Sequence, residues 1–191
     1  MSPGHEIVSS ASPFRGGFFQ VEVDEIRLPN GRVTKREYVL HPGAAAVVPL
    51  RGRPQDGQEV LLVRQNRHAV GDDLLEIPAG KLDVDGETPE QCASRELIEE
   101  TGFRAGKLVA LGRFFSSPGF TDEAFHLFLA TDLEPVAPPP EDDDGEPIAA
   151  AWLGLDDAVA ALGDGRIVDA KSAIGIALAR LREAGQEHRA P

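Results

Sequence analysis

The sequence feature that most constrains the fold is an acidic helix that is signalled at both of its ends. Thr88 is a favourable N-cap, Pro89 suits the first helical position, and Gln91 has the spacing of a capping box. Gly102 stands where the helix would stop, because glycine accepts the left-handed conformation of a C-terminal cap. The pattern predicts a helix of roughly three to four turns from about Pro89 to Thr101.

This helix concentrates carboxylates beside a narrow apolar stripe. At about 100° per residue the stripe contains Ala93 and Leu97, and its flank carries Glu96, Glu99 and Glu100. Glu96 and Glu100 are separated by one helical turn, so their like charges repel unless a cation lies nearby. Clustered hard oxygen ligands suit Mg²⁺ or Mn²⁺. For two glutamates taken alone, a solvated acidic face is the alternative interpretation.

The wider run around the helix resembles the Nudix box, a family pattern of spaced glycine, glutamate and arginine residues. The residues that fill the pattern are Gly80, Glu87, Arg95, Glu96, Leu97, Glu99, Glu100, Gly102 and Phe103. The spacing departs from the family pattern at one place, where Gly80 and Glu87 are separated by one additional residue. That residue falls in the loop 82–86, ahead of the helix, and leaves the spacing of the helix carboxylates unchanged.

The resemblance implies an α/β (α+β) fold, namely an α/β/α sandwich with a mixed sheet and an additional N-terminal antiparallel hairpin or sheet. It also implies hydrolysis of a nucleoside diphosphate derivative with the help of Mg²⁺, for which Mn²⁺ is a substitute. The positions that match the family's metal ligands are Glu96, Glu100, Glu99 and the backbone carbonyl of Ala79. The positions that match structural residues of the box are Gly80, Glu87 and Arg95, with Arg95 expected to hold the Glu87 carboxylate.

Hydrophobic patterning divides the chain into four parts. Residues 1–13 are small and polar and are predicted to be disordered. Residues 14–42 alternate apolar and polar side chains around a Pro-Asn-Gly turn, which predicts a β hairpin. Residues 43–184 contain the buried strands, the acidic helix and two closing helices of the main domain, with a proline-rich acidic loop at 133–147. Residues 185–191 are expected to form a frayed tail.

Segments outside the box resemble one branch of the family, the ADP-ribose pyrophosphatases. These segments are residues 63–68, 76–80 and the Ser-Pro-Gly loop 117–123. In that branch a glutamate on the Ser-Pro-Gly loop acts as the general base or positions the attacking water, and Glu123 matches it. Asp122 and Glu99 are the alternatives for this role, and a solvated loop acid is the structural alternative for Glu123.

Substrate-binding residues are suggested partly by chemistry and partly by the resemblance. Arg64 and Arg67 carry guanidinium groups that match phosphate oxygens, although alternate strand positions face opposite ways and either side chain could form structural ion pairs. The resemblance implies a homodimer in which the N-terminal hairpin crosses to the partner and helps to hold adenine. Phe18 and Phe19 are the aromatic side chains of that hairpin that could stack on the base, with ordinary packing as the alternative.

Charge and composition exclude several classes of function. The net charge of −13 argues against a general nucleic-acid or anionic-membrane binder. The chain has no apolar run long enough to cross a bilayer and no signal-peptide pattern. Its one cysteine, Cys92, excludes an intrachain disulfide and fits a reducing cytoplasm.

The function expected from these patterns is Mg²⁺-dependent hydrolysis of ADP-ribose to AMP and ribose 5-phosphate, with other ADP-sugars as further substrates. One alternative keeps the chemistry but changes the substrate to an oxidised nucleotide or a dinucleotide. Another alternative is a non-catalytic sensor of ADP-ribose. The sensor is disfavoured because the chain keeps the carboxylates Glu96, Glu99 and Glu100.

Overall fold

The computed structural model describes residues 5–53, 57–136 and 148–187. The chain divides into two compact units. The first contains Met1–Gly43 and Phe115–Ala124, and the second contains Ala44–Phe114 and Phe125–Pro191. The short segment Phe115–Ala124 therefore belongs with the N-terminal strands, although the sequence placed it inside the main domain.

The first unit is built on a three-stranded antiparallel sheet of β1 (Glu6–Arg15), β2 (Gln20–Arg27) and β3 (Val33–Leu40), in that order. The predicted hairpin is the β2–β3 pair. Its turn is closed by a hydrogen bond from the Leu28 N–H to the Arg32 carbonyl at 2.8 Å. Gly31 adopts a φ of 81°, which a residue without Cβ accepts at little cost.

The prediction of disorder over residues 1–13 is wrong from Glu6 onward, where the chain forms β1. Every residue of β1 is exposed, so the apolar alternation that normally reveals a strand is missing. The strand is held by backbone pairing to β2 and by side-chain hydrogen bonds that composition cannot reveal. The Ser10 hydroxyl donates to Asp24 at 2.6 Å and the Ser12 hydroxyl donates to Glu22 at 2.5 Å. Residues 1–4 lie outside the described part of the chain.

The second unit is organised around a seven-stranded mixed sheet. Its strands are β4 (Ala44–Arg53), β5 (Gly57–Arg67), β6 (Asp72–Glu76), β7 (Ala79–Lys81), β8 (Phe103–Phe115), β9 (Ala124–Pro135) and β10 (Ala149–Gly154). The main order is β10-β5-β4-β9-β8, with β6 beside β5 and β7 beside β4. The β4–β9 pair is parallel, whereas β4 pairs with β5 and β7 in the antiparallel sense. The predicted mixed sheet is therefore confirmed.

Three helices cover the two faces of this sheet: α1 (Pro89–Thr101), α2 (Leu155–Asp164) and α3 (Ala170–Glu187). Alternation along β4 explains the arrangement, because successive side chains of a strand point to opposite faces. Ala45 and Val47 pack in the cluster that contains the inner face of α1. Ala46 and Val48 pack in the cluster that contains residues of α2 and α3. The predicted α/β/α sandwich is confirmed.

The sequence signals of α1 correspond to its observed ends. The Thr88 side chain accepts the Gln91 N–H, and the Gln91 side chain accepts the Thr88 N–H, which completes a capping box. Gly102 is left-handed with a φ of 72°, and its N–H donates to the Ile98 carbonyl at 2.8 Å. Both caps fix the ends of α1, so the residues that share its acidic flank follow from local sequence.

The C-terminal part of the chain differs from expectation. Helix α3 continues to Glu187, so the tail predicted from residue 185 is wrong over residues 185–187, and residues 188–191 lie outside the described part. The acidic loop was predicted at residues 133–147, but strand β9 extends to Pro135. Residues 137–147 of that predicted loop lie outside the described part of the chain. None of the helices among the described residues combines the length and apolar character needed to cross a membrane.

The capping box predicts the stability of a Thr88→Ala variant. Losing the side-chain acceptor leaves a helix N–H unsatisfied, and unfolding free energy should fall by about 1 kcal/mol. Urea denaturation measures this change. Thr88→Ser keeps a hydroxyl acceptor and is the matched control, expected to lie close to the parent protein. Equal stability of the Ala and Ser variants would show that the cap contributes nothing.

Candidate active site

Helix α1 brings a glutamate inside the protein. Leu97 is fully buried, and Glu100, one turn further along the same helix, is only 6% exposed. The Ala79 N–H donates to Glu100 Oε2 at 3.0 Å. Burial raises the pKa of the Glu100 carboxyl to about 8, and the neighbouring Glu96 carboxylate adds to the rise. Glu96 and Glu100 thus place two carboxylates one helical turn apart, and the second of them is buried.

Gly80 of β7 lies against the side chain of Glu96, the other carboxylate of this pair. A Cβ atom built on Gly80 would lie 1.7 Å from Glu96 Oε1, far inside contact distance. Only a residue without a side chain allows the Glu96 carboxylate to occupy this place. Strand β7 and helix α1 therefore bring Ala79, Gly80, Glu96 and Glu100 together.

Arg95 is the centre of an ion-pair cluster on the same helix. Its Nε and Nη2 atoms donate to the two carboxylate oxygens of Glu87 at 2.8 and 2.9 Å. Its Nη1 atom donates to Glu96 at 2.6 Å and to Glu99 at 2.8 Å. These bonds raise the pKa of Arg95, chiefly through Glu87, and lower the pKa of Glu87. The loop carboxylate is consequently tied to the helix.

The donor set suits a hard divalent cation in its chemistry. The carboxylates of Glu96, Glu99 and Glu100 and the carbonyl of Ala79 all offer oxygen. Within the described ranges no three His, Cys, Asp or Glu side chains are arranged to hold a metal ion. Arg95 donates to two of these carboxylates, those of Glu96 and Glu99. A cation held by the same oxygens would therefore share them with the Arg95 guanidinium.

A second charged cluster adjoins these carboxylates, and sequence reasoning missed it. Glu76 is 1% exposed and forms a bidentate salt bridge with Arg67, called its fork below. The Nε–Oε1 and Nη2–Oε2 distances are 2.8 and 2.6 Å. Lys171 also donates to Glu76 and lies 3.0 Å from Asp169. Burial opposes ionisation of Glu76, but the bonds from both cations hold its pKa below the ordinary value. The available signal was a lone glutamate in the apolar run Leu74–Ile77.

The two arginines proposed for phosphate binding have different environments. Arg64 is exposed, and its backbone pairs within the sheet, but its side chain forms no hydrogen bond or ion pair in the ranges that the structure describes. Arg67 is partly buried in its fork with Glu76. An odd sequence separation along a strand places their side chains on opposite faces of β5, so they are not brought together. Glu100 contributes to the raised pKa of Arg67, which places Arg67 within electrostatic reach of the acidic pair.

In the first unit the two loop acids have distinct contacts. The Asp122 carboxylate accepts the His41 N–H at 2.8 Å, and the Asp122 N–H donates to the Val39 carbonyl at 3.2 Å. The Glu123 carboxylate accepts the Ser116 hydroxyl at 2.6 Å and lies 3.9 Å from the His41 ring. Asp122 thus fastens the loop to the end of β3, while Glu123 keeps a side chain that is 32% exposed.

Phe18 and Phe19 belong to an aromatic group beside a groove of about 440 Å³. Phe19 lies 5.5 Å from Phe14 and 5.2 Å from Phe18, measured between ring centroids. Phe18 also packs edge-on against His41 at 5.5 Å. The rings therefore support one another, and both Phe18 and Phe19 line the groove.

Comparison with known proteins agrees with this geometry. Residues 40–172 match the NUDIX domain, and the chain belongs to the NUDIX family. It is 40% identical over 173 residues to the ADP-ribose pyrophosphatase of Bacillus subtilis (strain 168), covering 91% of each chain. It is 38% identical over 171 residues to the methanol dehydrogenase activator of Bacillus methanolicus, covering 90% of each. A solved structure of an ADP compounds hydrolase shares its fold, with a TM-score of 0.80, 24% identity and 96% coverage of both chains.

The close approach at Gly80 predicts the effect of Gly80→Ala. The added methyl group would displace the Glu96 carboxylate, and affinity for Mn²⁺ should fall by roughly 10–100-fold, the size of a disturbed ligand orientation. Electron paramagnetic resonance of free Mn²⁺ measures binding without any enzyme assay.

Gly163→Ala is the matched control for this variant. Gly163 lies in α2, has no positive φ, and a Cβ atom there would meet nothing within 4 Å. The Gly163→Ala variant should bind Mn²⁺ with the affinity of the parent protein. Unchanged Mn²⁺ affinity in folded Gly80→Ala would contradict the placement of Glu96 as a ligand.

Proposed function

We propose that this chain hydrolyses the diphosphate bond of ADP-ribose to give AMP and ribose 5-phosphate, and accepts other ADP-sugars more slowly. The observation that carries the proposal is the buried carboxyl of Glu100, one helical turn from the Glu96 carboxylate and bonded to the Ala79 backbone of β7. The name of the Bacillus subtilis relative, an ADP-ribose pyrophosphatase, supports the choice of substrate.

A divalent cation, Mg²⁺ with Mn²⁺ as a substitute, is the proposed cofactor. Glu96, Glu99, Glu100 and the carbonyl of Ala79 would hold it, and the bound ion would screen the negative charge of the diphosphate. Arg95 keeps its fork to Glu87 in this proposal and so continues to anchor the loop before α1.

Glu123 is the proposed general base. Its carboxylate takes a proton from the water whose oxygen attacks phosphorus, and the bond from that phosphorus to the bridging oxygen breaks. The Ser116 hydroxyl orients the carboxylate through its 2.6 Å hydrogen bond. Asp122 is less suited to the role because it is engaged by the His41 N–H. Glu99, which is bonded to Arg95, is the remaining alternative.

Substrate recognition is assigned to Arg67 and Arg64 for the diphosphate and to Phe19 for the adenine. Arg67 supports this assignment best, since it lies within reach of Glu100 and its guanidinium plane is fixed by Glu76. Phe19 lines the groove of the first unit, where stacking on a base is a known use of aromatic side chains.

A homodimer that uses the N-terminal sheet is also part of the proposal. Strands β1–β3 and the β1–β2 connection expose large apolar side chains, namely Ile7, Val8, Phe14, Phe18 and Val33. An exposed apolar surface of this kind favours a protein partner. A reducing cytoplasm is the proposed compartment, because the sequence relies on no disulfide and its one cysteine is buried.

A substrate panel tests the function directly. Purified protein with Mg²⁺ should release AMP and ribose 5-phosphate fastest from ADP-ribose, as read by product chromatography. ADP-glucose, NADH, diadenosine polyphosphates and an oxidised dGTP complete the panel. Faster turnover of a triphosphate or dinucleotide would contradict the substrate, and tight ADP-ribose binding without turnover of any compound would indicate a sensor.

Glu100→Gln tests the cation site. The amide oxygen can still accept the Ala79 N–H, so the fold should survive, but the charge that attracts the cation is lost. We expect kcat to fall by roughly 100-fold or more, because a metal ion supplies several kcal/mol of transition-state stabilisation. Glu90→Gln, an exposed glutamate in the first turn of α1, is the control with parent activity. Parent-like kcat in Glu100→Gln at saturating Mg²⁺ would refute the ligand assignment.

Glu123→Gln and Asp122→Asn separate the two loop acids. Loss of a general base should lower kcat by about 10²–10⁴-fold with little change in KM. Asn at position 122 can still accept the His41 N–H, so Asp122→Asn should retain most of its activity. Steady-state kinetics of both variants provides the comparison. If Asp122→Asn loses activity and Glu123→Gln does not, the base is wrongly assigned.

A further inference from the structure

Two cations donate to the carboxylate of Glu76. Glu76 is 1% exposed and forms ion pairs with Arg67 and Lys171. Lys171 is further neutralised by Asp169 at 3.0 Å. The group contains two cations and two anions, so it is neutral as a whole. Glu76 itself accepts hydrogen bonds from both cations, so it keeps one partner when the other contacts a further anion.

Arg67 is the more exposed of the two cations. Its side chain is 36% exposed, whereas that of Lys171 is 15% exposed. Arginine has five N–H donors, and the fork to Glu76 uses one on Nε and one on Nη2. Among the residues that the structure describes, none accepts a bond from Nη1 of Arg67. The fork therefore fixes the guanidinium plane while leaving donors for an anion.

An anion bound to Arg67 would compete with Glu76 for the same guanidinium charge. Without another cation, the buried Glu76 carboxylate would be left poorly compensated each time substrate bound. Lys171 removes this conflict because it donates to Glu76 independently of Arg67. Lys171 is in turn fixed by Asp169, whose carboxylate accepts the Ser172 N–H at 2.9 Å at the start of α3.

The start of α3 is also joined to the residue that follows Glu76. The Ile77 N–H donates to the Ser172 hydroxyl at 2.9 Å, and that hydroxyl donates to Asp169 at 2.5 Å. Ser172 is fully buried, so this connection is shielded from water. Helix α3 thereby fixes both the charge partner and the backbone of Glu76.

We propose that Glu76 and Lys171 are positioning residues for the reaction: Glu76 holds the Arg67 guanidinium toward the substrate diphosphate, and Lys171 compensates Glu76 while Arg67 binds that anion. The inference rests on the proposed function for the identity of the ligand. It assigns to helix α3 a role in substrate affinity, although neither Glu76 nor Lys171 touches the substrate.

A mutant cycle tests this arrangement. Affinity for ADP-ribose is measured by calorimetry without divalent cation, and kcat and KM are measured separately with Mg²⁺. Lys171→Met should raise Kd by roughly 10-fold, within the usual range of coupling between contacting charges, and leave kcat near the parent value. Lys171→Arg should restore affinity. In an Arg67→Gln/Glu76→Gln background, where both acceptor and guanidinium are absent, Lys171→Met should have no further effect on Kd.

Arg180→Met is the matched control, because Arg180 is a cation of the same helix that pairs with Asp156 at 3.1 Å, away from Glu76. It should leave Kd unchanged. Circular dichroism and Tm establish folding of each variant, and Lys171→Gln replaces Lys171→Met if the latter is poorly folded. A purely structural role would lower Tm without the selective loss of affinity.

The outcomes distinguish this inference from the proposed function. Turnover of ADP-ribose by the parent protein, with an equal effect of Lys171→Met in both backgrounds, would overturn the positioning role and leave the function standing. If the parent protein binds ADP-ribose without turning it over, and Lys171→Met raises Kd only in the parent background, the function is overturned and the positioning role is supported. Absence of ADP-ribose binding and of ADP-ribose turnover by the parent protein would overturn both, and turnover with Mg²⁺ but no binding without it would overturn the positioning role alone.

Discussion

Carboxylates held out of water require positive charge, and this requirement organises the chemistry of the second unit. Glu76 and Glu100 are both buried glutamates, but only Glu76 accepts hydrogen bonds from cations, those of Arg67 and Lys171. These bonds hold the pKa of Glu76 below its ordinary value, whereas burial and the neighbouring Glu96 raise the pKa of Glu100 to about 8. Arg67 and Lys171 also act on Glu100, but only through space, and burial outweighs them. The proposed roles follow this difference: Glu76 as a positioning residue and Glu100 as a cation ligand.

Two further pairs of residues differ in the same way: one member has its charged group engaged by hydrogen bonds, and the other keeps donors or oxygens for a ligand. Asp122 is engaged by a backbone N–H and fastens its loop, while the adjacent Glu123 keeps a partly exposed carboxylate oriented by Ser116. Arg95 donates to three carboxylates and to Cys92 Sγ, whereas Arg67 retains donors beyond its two bonds to Glu76. Residue type alone predicts the same chemistry for each member of these pairs. The proposed roles within each pair rest on the hydrogen-bond partners that the fold provides.

Local patterns predicted the elements whose signals are local. The capping box and terminal glycine gave the bounds of α1, and alternation with a turn gave the β2–β3 hairpin. Strand β1 was missed because it buries no side chain and is recognised only through its pairing with β2. The Glu76 cluster was missed for a related reason: Lys171 is 95 residues away in sequence, and no local pattern joins them.

The sequence by itself determined the helix that carries the acidic residues, the apolar alternation of β4 and the family to which the chain belongs, because helix caps, side-chain periodicity and motif spacing are properties of neighbouring residues. Only the tertiary structure decided which carboxylates lie in water and which cations reach them. Burial and charge pairing depend on strands and helices that are distant in sequence, and these two quantities set the orientation and availability of the groups proposed to act.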